Sequence, residues 1–121
     1  MLGTFVIIPI MKKCVFCKIV SGEKKEEFLY EDDKVIVHKD IYPRSEIHLL
    51  VTTKEHYDGF SEMMEKDPNL LSHIGKVVCI MAEKVGLTGK SYTWGFHSDL
   101  KQSVHHTHAN IISVKDDEFV L

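Results

Sequence analysis

This chain of 121 residues has only three cysteines and no net positive charge, and each of these features excludes a class of protein. There are three cysteines, and an odd number with two of them in a C-x-x-C pattern does not match the paired framework of a small secreted domain. The formal net charge is −3, whereas a protein that binds nucleic acid over a broad surface presents a basic face. We therefore predict no nucleic-acid partner, although a few local donors are enough to hold the phosphate of a small nucleotide.

The chain also lacks the features of a secretion signal or a membrane span. Its first ten residues are mainly apolar, but no positive side chain precedes them, and Lys12 and Lys13 come only afterwards. Ten residues are too few to cross a bilayer as a helix. Because Met11 is a natural alternative start, we predict that residues 1–10 form an N-terminal extension and residues 11–121 a single domain. We expect it in the cytoplasm, with no membrane partner.

Apolar residues at three- and four-residue steps predict one long helix over residues 69–85. Asp67-Pro68 would supply its N-cap and a proline in the first turn, and Gly86 would take the left-handed position after its last turn. A short helix is predicted over residues 15–20 and another turn or two within residues 57–66. Cys79, at the edge of the apolar stripe, is expected to be inert core.

The other β-rich segments predict about five strands joined mostly by short turns. The predicted strands cover residues 28–30, 35–39, 47–52, 91–96 and 104–113. No repeat or linker divides the chain. We therefore predict an α+β fold in which a five-stranded antiparallel sheet carries one long helix and one or two short ones.

The last of these strands has an unusual polar pattern. Side chains alternate between the two faces of a strand, so His106, His108 and Asn110 would point the same way. A solvated polar face is the simplest explanation of one H-x-H. However, Ile111-Ile112 directly downstream indicates that both faces become apolar and that the strand lies deep in the sheet. The histidines are then candidates for catalysis or ligand binding.

Cys14 and Cys17 have the spacing of half a zinc site, because tetrahedral zinc readily accepts two thiolates from a C-x-x-C. Two free thiols or a redox pair would show the same spacing. The residues alone leave these alternatives open.

Several short motifs follow one another in a fixed order between about residues 14 and 113. They are Cys14-Val-Phe-Cys-Lys-Ile-Val, Asp40-Ile-x-Pro43, His48-Leu-Leu-Val-Thr-Thr-Lys-Glu-His56 and Gln102-Ser-Val-His-His-Thr-His-Ala-Asn-Ile-Ile. Together they resemble the histidine-triad (HIT) family, in its zinc-containing bacterial-type branch. The resemblance implies a homodimer, paired through the long helix and an adjacent strand, that binds purine nucleotides. It also implies hydrolysis or transfer at nucleoside 5′-monophosphate derivatives such as a phosphoramidate or a nucleotidyl ester.

The resemblance also implies roles for individual residues. His108 matches the middle histidine, which attacks the α-phosphorus and forms a nucleotidyl-histidine intermediate. Ser103 and Gln102 would hold the phosphoryl oxygens together with Asn110, and the catalytic set would be His108, Asn110 and Ser103. The base and ribose pocket would be formed by Val15, Phe16, Ile19, Val37, Asp40 and Ile41, and Val104 would also contact the nucleotide. Asp40 would accept hydrogen bonds from the ribose, although it could simply form a turn, and the apolar members could simply be core.

The same resemblance nominates His56 and His106 as the ligands that complete a structural zinc site with Cys14 and Cys17. A metal bound to His106 would support the segment that carries His108.

The chain departs from the family pattern at three positions. Asn110 stands where most members have the third histidine, Lys101 replaces a glycine, and Gly95 replaces an asparagine. Two other interpretations therefore stay open. One is a family member that binds nucleotide without turnover, and the other is a zinc-stabilised interaction module.

Overall fold

The computed structural model describes residues 14–97 and 104–115. Its elements are α1 (Val15–Ser21), β1 (Tyr30–Glu31), β2 (Val35–Lys39), β3 (His48–Thr53), α2 (Phe60–Lys66), α3 (Asn69–Lys84), β4 (Tyr92–Gly95) and β5 (His108–Ser113). The strands form one antiparallel sheet in the order β1-β2-β3-β5-β4, which confirms the predicted fold class. The proposed extension and residues 101–103 lie outside the described residues. No helix in the described part is long and apolar enough to span a membrane.

The strand register gives the two faces of the sheet different surroundings. Val37 pairs with Val51, which pairs with Ala109, and all three side chains lie in the core that α3 covers. Ile36 and Leu50 point to the opposite face and pack against α1. The predicted place of Val37 in a nucleotide pocket is therefore wrong, because the two-residue period of a strand directs it to the α3 side.

The predicted stripe on α3 is confirmed as the centre of the larger core. Its buried residues are Leu70, Ile74, Val77, Val78, Met81 and Ala82. Gly86 follows the helix with φ at 81°, a left-handed conformation that costs glycine little. Its N–H donates to Glu83 O (3.2 Å), and the buried Leu87 donates to Ala82 O (2.7 Å). This is the paired closure typical of a helix that ends at glycine.

Two predictions around α3 are wrong. The N-cap position belongs to Pro68, and no side chain caps the helix there, so Asp67 does not have the predicted role. Cys79 is exposed and not core, because it follows the buried pair Val77 and Val78 and so turns with Ile80 to the outer face.

Asp32 connects the β1–β2 turn to α3. Its Oδ1 accepts from the N–H groups of Lys34 (2.7 Å) and Val35 (2.9 Å), and its Oδ2 accepts from Tyr30 Oη (2.8 Å) and His73 Nε2 (2.7 Å). Burial alone would raise the pKa of this carboxyl group. The hydrogen bonds outweigh that effect and lower the pKa from 3.8 to about 2.

We expect Asp32→Asn to lower the free energy of unfolding by about 1–3 kcal/mol at neutral pH, since the amide nitrogen that replaces one carboxylate oxygen cannot accept and at least two of the four hydrogen bonds lose their acceptor. The folded-state pKa lies below the ordinary value, so the contribution of Asp32 is present above that value and is lost as the pH falls from 3.8 towards about 2. Urea unfolding of the wild type and of Asp32→Asn, from neutral pH down to about pH 2, measures this contribution. A difference between the two proteins that does not shrink at acid pH would contradict this assignment.

Candidate functional site

Cys14, Cys17, His56 and His106 come together on the α1 side of the sheet. Cys14 Sγ lies 3.3 Å from His106 Nδ1, and Cys17 Sγ lies 3.3 Å from His56 Nδ1 and 3.5 Å from His106 Nδ1. The two Nδ1 atoms are 3.1 Å apart. Ligand atoms arranged tetrahedrally around zinc are about 3.3–3.8 Å apart, given its usual bond lengths. The four residues therefore fit a metal ion and could hold one.

The start of α1 and the end of β3 fix this cluster. Cys14 caps the helix by accepting from the N–H of Cys17 (3.4 Å), and the three-residue step places both sulfurs on one side of the first turn. His106 Nε2 donates to the carbonyl oxygen of Thr53 (2.7 Å), so its Nδ1 has the free lone pair that faces the cysteines. Burial lowers the pKa of His106 to about 4, which keeps the ring neutral.

A cavity of about 300 Å³ opens beside the cluster. It includes most of the residues predicted for a nucleotide pocket, namely Val15, Phe16, Ile19, Asp40, Ile41, Val104, His108 and Asn110. Gln102 and Ser103 lie outside the described residues. The cavity has an apolar wall from α1 and a polar wall from β5 and the β2–β3 loop.

His108 lies at the polar wall with its tautomer fixed. Its Nδ1 donates to the backbone oxygen of His106 (2.7 Å), which leaves Nε2 unprotonated. The ring of Phe16 packs edge-to-face on it with 5.0 Å between ring centroids. Burial lowers the pKa of His108, so the lone pair on Nε2 is available at neutral pH. The arrangement suits a nucleophile.

A chain of hydrogen bonds orients Asn110. The backbone N–H of Arg44 donates to His48 Nδ1 (3.1 Å), so the proton of His48 must be on Nε2. This Nε2 then donates to Asn110 Oδ1 (2.9 Å). The amide nitrogen of Asn110 is buried and has no hydrogen-bond partner within residues 14–97 and 104–115. Since a buried donor without a partner is costly, this atom is a strong candidate to bind an oxygen of a ligand in the cavity.

Asp40 has a turn role and also lines the cavity. Its Oδ1 accepts from the N–H of Tyr42 (2.8 Å), which is a turn role, and its Oδ2 lies 3.4 Å from His48 Nε2. The carboxylate also lines the cavity, and its remaining lone pairs can accept from a ligand.

Sequence reasoning assigned no role to His38 or His97, and both line the cavity. His38 is buried, with Nε2 2.9 Å from Thr52 Oγ1, and burial lowers its pKa to about 4. Its position on β2, one residue from Val37 and two from Asp40, could have indicated that it faces the cavity. His97 lies at the rim beside Arg44, far away in sequence, and no local signal indicates this contact.

The predicted strand over residues 104–113 begins only at His108. The N–H of His106 donates to Val104 O (2.9 Å) and that of Thr107 to Tyr57 O (2.9 Å), so the chain bends before the strand. As a result His106 enters the cysteine cluster, while His108 and Asn110 line the neighbouring cavity.

Comparison with known proteins agrees with the fold of this chain. A family model described as "Scavenger mRNA decapping enzyme C-term binding" matches residues 13–120. An uncharacterised HIT-like protein of Methanocaldococcus jannaschii is 36% identical over 82% of this chain and 77% of its own length. The bifunctional adenosine 5′-phosphosulfate phosphorylase/adenylylsulfatase HINT4 of Arabidopsis thaliana is 30% identical over 84% of this chain and 70% of its own length. The structure of a HIT family hydrolase from Clostridium thermocellum superimposes with a TM-score of 0.85 at 32% identity, covering 92% of this chain and 98% of that one.

Proposed function

Because this chain belongs to the histidine-triad (HIT) family, we propose that it is a nucleotidyl hydrolase or transferase that acts on purine nucleoside 5′-monophosphate derivatives. The observation that carries the proposal is the pair formed by His108 and Asn110. Both residues line the same cavity. His108 has an unprotonated imidazole nitrogen, and the buried amide nitrogen of Asn110 has no hydrogen-bond partner among the described residues, a combination suited to attack at a phosphorus atom.

In the proposed complex, Phe16 and Ile19 contact the base, and Asp40 accepts from the ribose hydroxyls. The phosphoryl group then lies next to His108, with its oxygens bonded to Asn110 Nδ2. Gln102 and Ser103 are proposed as further donors to these oxygens. The apolar wall excludes water from the phosphorus, which strengthens each of these polar contacts.

The proposed reaction has two displacements at phosphorus. His108 Nε2 attacks, and the bond to the leaving group breaks, which gives a nucleotidyl-histidine. The ring becomes cationic, and the hydrogen bond from Nδ1 to the oxygen of His106 strengthens accordingly. Water then displaces the imidazole and releases the nucleoside monophosphate, or an acceptor takes the nucleotidyl group. Phosphoramidates and nucleotidyl esters are candidate substrates, and the name of the Arabidopsis relative adds adenosine 5′-phosphosulfate.

We propose that the four-residue cluster binds structural zinc. All four ligand atoms come from the chain, so no coordination position is left for substrate. When bound, the metal would supply stability and hold the segment next to His108.

A homodimer is part of the proposal. β4 is an edge strand of the sheet within the described residues, and its Trp94 is 42% exposed. Ile80 on α3 is 48% exposed. Exposed apolar side chains on the long helix and on the edge strand support pairing through these two elements.

The direct test is mass spectrometry of protein mixed with adenosine 5′-phosphosulfate or adenosine 5′-phosphoramidate and quenched in alkali, in which phosphorus–imidazole bonds survive. We expect AMP release and a peptide containing His108 that is heavier by one adenylyl group. Steady turnover with an unmodified peptide, or an adduct on another residue, would contradict the proposed mechanism.

A further inference from the structure

Gly95 is an unusual residue for its place in the fold, because it belongs to the strand β4. A glycine in a strand usually marks a bulge, a sharp bend, or a close approach by another backbone or by a ligand. The pairing of β4 with β5 runs without a bulge from Tyr92 to Gly95, and the φ of Gly95 is not in the positive region. A β-carbon added to Gly95 would meet no atom of the described residues within 4 Å. The backbone therefore does not require glycine here, and the approach of a ligand remains as the explanation.

Asn110 lies directly opposite Gly95, on β5. Both positions depart from the family pattern, and residues paired in this way have β-carbons about 5 Å apart on the same face of the sheet. That face carries the cavity, since Asn110 lines it, as does His97, two residues after Gly95. The side chain that is missing at position 95 therefore leaves space beside the amide of Asn110.

The amide nitrogen of Asn110 is directed towards this space. Across the sheet, Asn110 has Leu50 of β3 on one side and Gly95 of β4 on the other. Its Oδ1 accepts from His48 of β3 (2.9 Å). Because the oxygen and the nitrogen of an amide lie on opposite sides of the Cβ–Cγ bond, Nδ2 is on the side of β4.

This nitrogen lacks an acceptor. Asn110 is only 6% exposed, and its Nδ2 has no hydrogen-bond partner within residues 14–97 and 104–115. A buried donor left in this state is costly, so an acceptor is expected beside it. The space next to Gly95 is where that acceptor fits.

We propose that Gly95 is a specificity-determining residue for a phosphorylated ligand, because the space left at this position admits a phosphoryl oxygen that accepts from Asn110 Nδ2. This inference rests on the proposed function and adds a residue to its phosphate site. It also orients the ligand. A phosphate over β4 and β5 faces His108, two residues before Asn110 on the same face, and leaves the nucleoside over β2 and β3, where Asp40 follows β2.

The first test measures the affinities for AMP and adenosine by equilibrium dialysis in the wild type and in Gly95→Leu. We expect Gly95→Leu to weaken AMP about tenfold, because the leucine occupies the space of the phosphoryl oxygen and the charged hydrogen bond is lost. The affinity for adenosine, which has no phosphate, should not change. Gly75→Ala alters a glycine of α3 with equally open surroundings on the other face of the sheet, and should change neither affinity.

A second test moves the amide to the opposite strand. Asn110→Ala should weaken AMP roughly tenfold to a hundredfold, as expected for the loss of a hydrogen bond to a charged oxygen. Adding Gly95→Asn to this variant places an amide in the same space from β4 and should restore most of the affinity. Adding Gly95→Leu instead supplies a side chain of the same size without a donor and should restore none. Thermal unfolding of every variant separates a loss of binding from a loss of folding, and the first test does not depend on Asn110→Ala being folded.

Three results would each overturn this inference. They are wild-type affinity for AMP in Gly95→Leu, an equal loss for AMP and adenosine in that variant, and equal rescue of Asn110→Ala by asparagine and by leucine. Both tests measure binding alone, so the expected affinities without any release of AMP would remove the proposed reaction and keep this inference. A wild type that binds AMP no more tightly than adenosine would remove the phosphate site and the inference together.

Discussion

His108→Ala is expected to lower kcat/KM for release of AMP by at least about 10³-fold, because the substitution removes the atom that forms the covalent bond. Water would then have to attack phosphorus directly. Binding of AMP should persist, since Phe16, Asp40 and Asn110 remain in the cavity. Equilibrium dialysis against AMP and a coupled assay for AMP release measure the two effects separately.

The matched control is His105→Ala. This imidazole is adjacent to His106, a proposed zinc ligand, but it is more than half exposed and lies 3.7 Å from Asp58 at the surface. Its loss should change kcat/KM by no more than about twofold, as is usual for a surface position. Turnover of His108→Ala at the wild-type rate would contradict the assignment of His108 as the nucleophile. A wild type that binds AMP but releases none from adenosine 5′-phosphosulfate or adenosine 5′-phosphoramidate would favour the alternative of a nucleotide-binding protein without turnover.

The features that sequence predicted well are those encoded locally. The apolar steps of α3 and its closure at Gly86 need only neighbouring residues, and both agree with the structure. The start of β5 could not be predicted in this way. An extended pattern continues back to Val104, but the N–H of Thr107 bonds to Tyr57, fifty residues earlier, and bends the chain. A contact between residues so far apart in the chain produces no pattern in the local sequence.

The candidate site shows the same limit. The C-x-x-C spacing is local and indicated Cys14 and Cys17 directly, whereas the two histidines of the cluster were nominated only through the family resemblance. Arg44 and His97 were missed because they are far apart in the chain and meet only in the folded structure. A single sequence does not show that such residues are close in space. The orientation of Asn110 also depends on His48, on another strand, so its free donor appears only in three dimensions.

Loss of the proposed zinc ion is the second change for which we expect a large effect, in this case on stability. Cys14→Ser should abolish binding of about one zinc ion per chain and lower the free energy of unfolding by about 3–5 kcal/mol, because a serine hydroxyl is a poor zinc ligand. For a domain of this size, that corresponds to a decrease in Tm of about 10–20 °C. Elemental analysis of protein purified without a histidine tag and thermal unfolding measure the two quantities.

Cys79→Ser provides a matched control, since it makes the same chemical change at an exposed cysteine on α3. It should keep the zinc and the wild-type Tm. The metal should also influence catalysis, because the carbonyl oxygen of His106 accepts from His108 Nδ1. Without the metal the segment that carries this oxygen loses a restraint, so His108 should attack less effectively and kcat should fall more than the affinity for AMP. A wild type with far less than one zinc per chain, or a Cys14→Ser protein that retains its zinc, would rule out the proposed site.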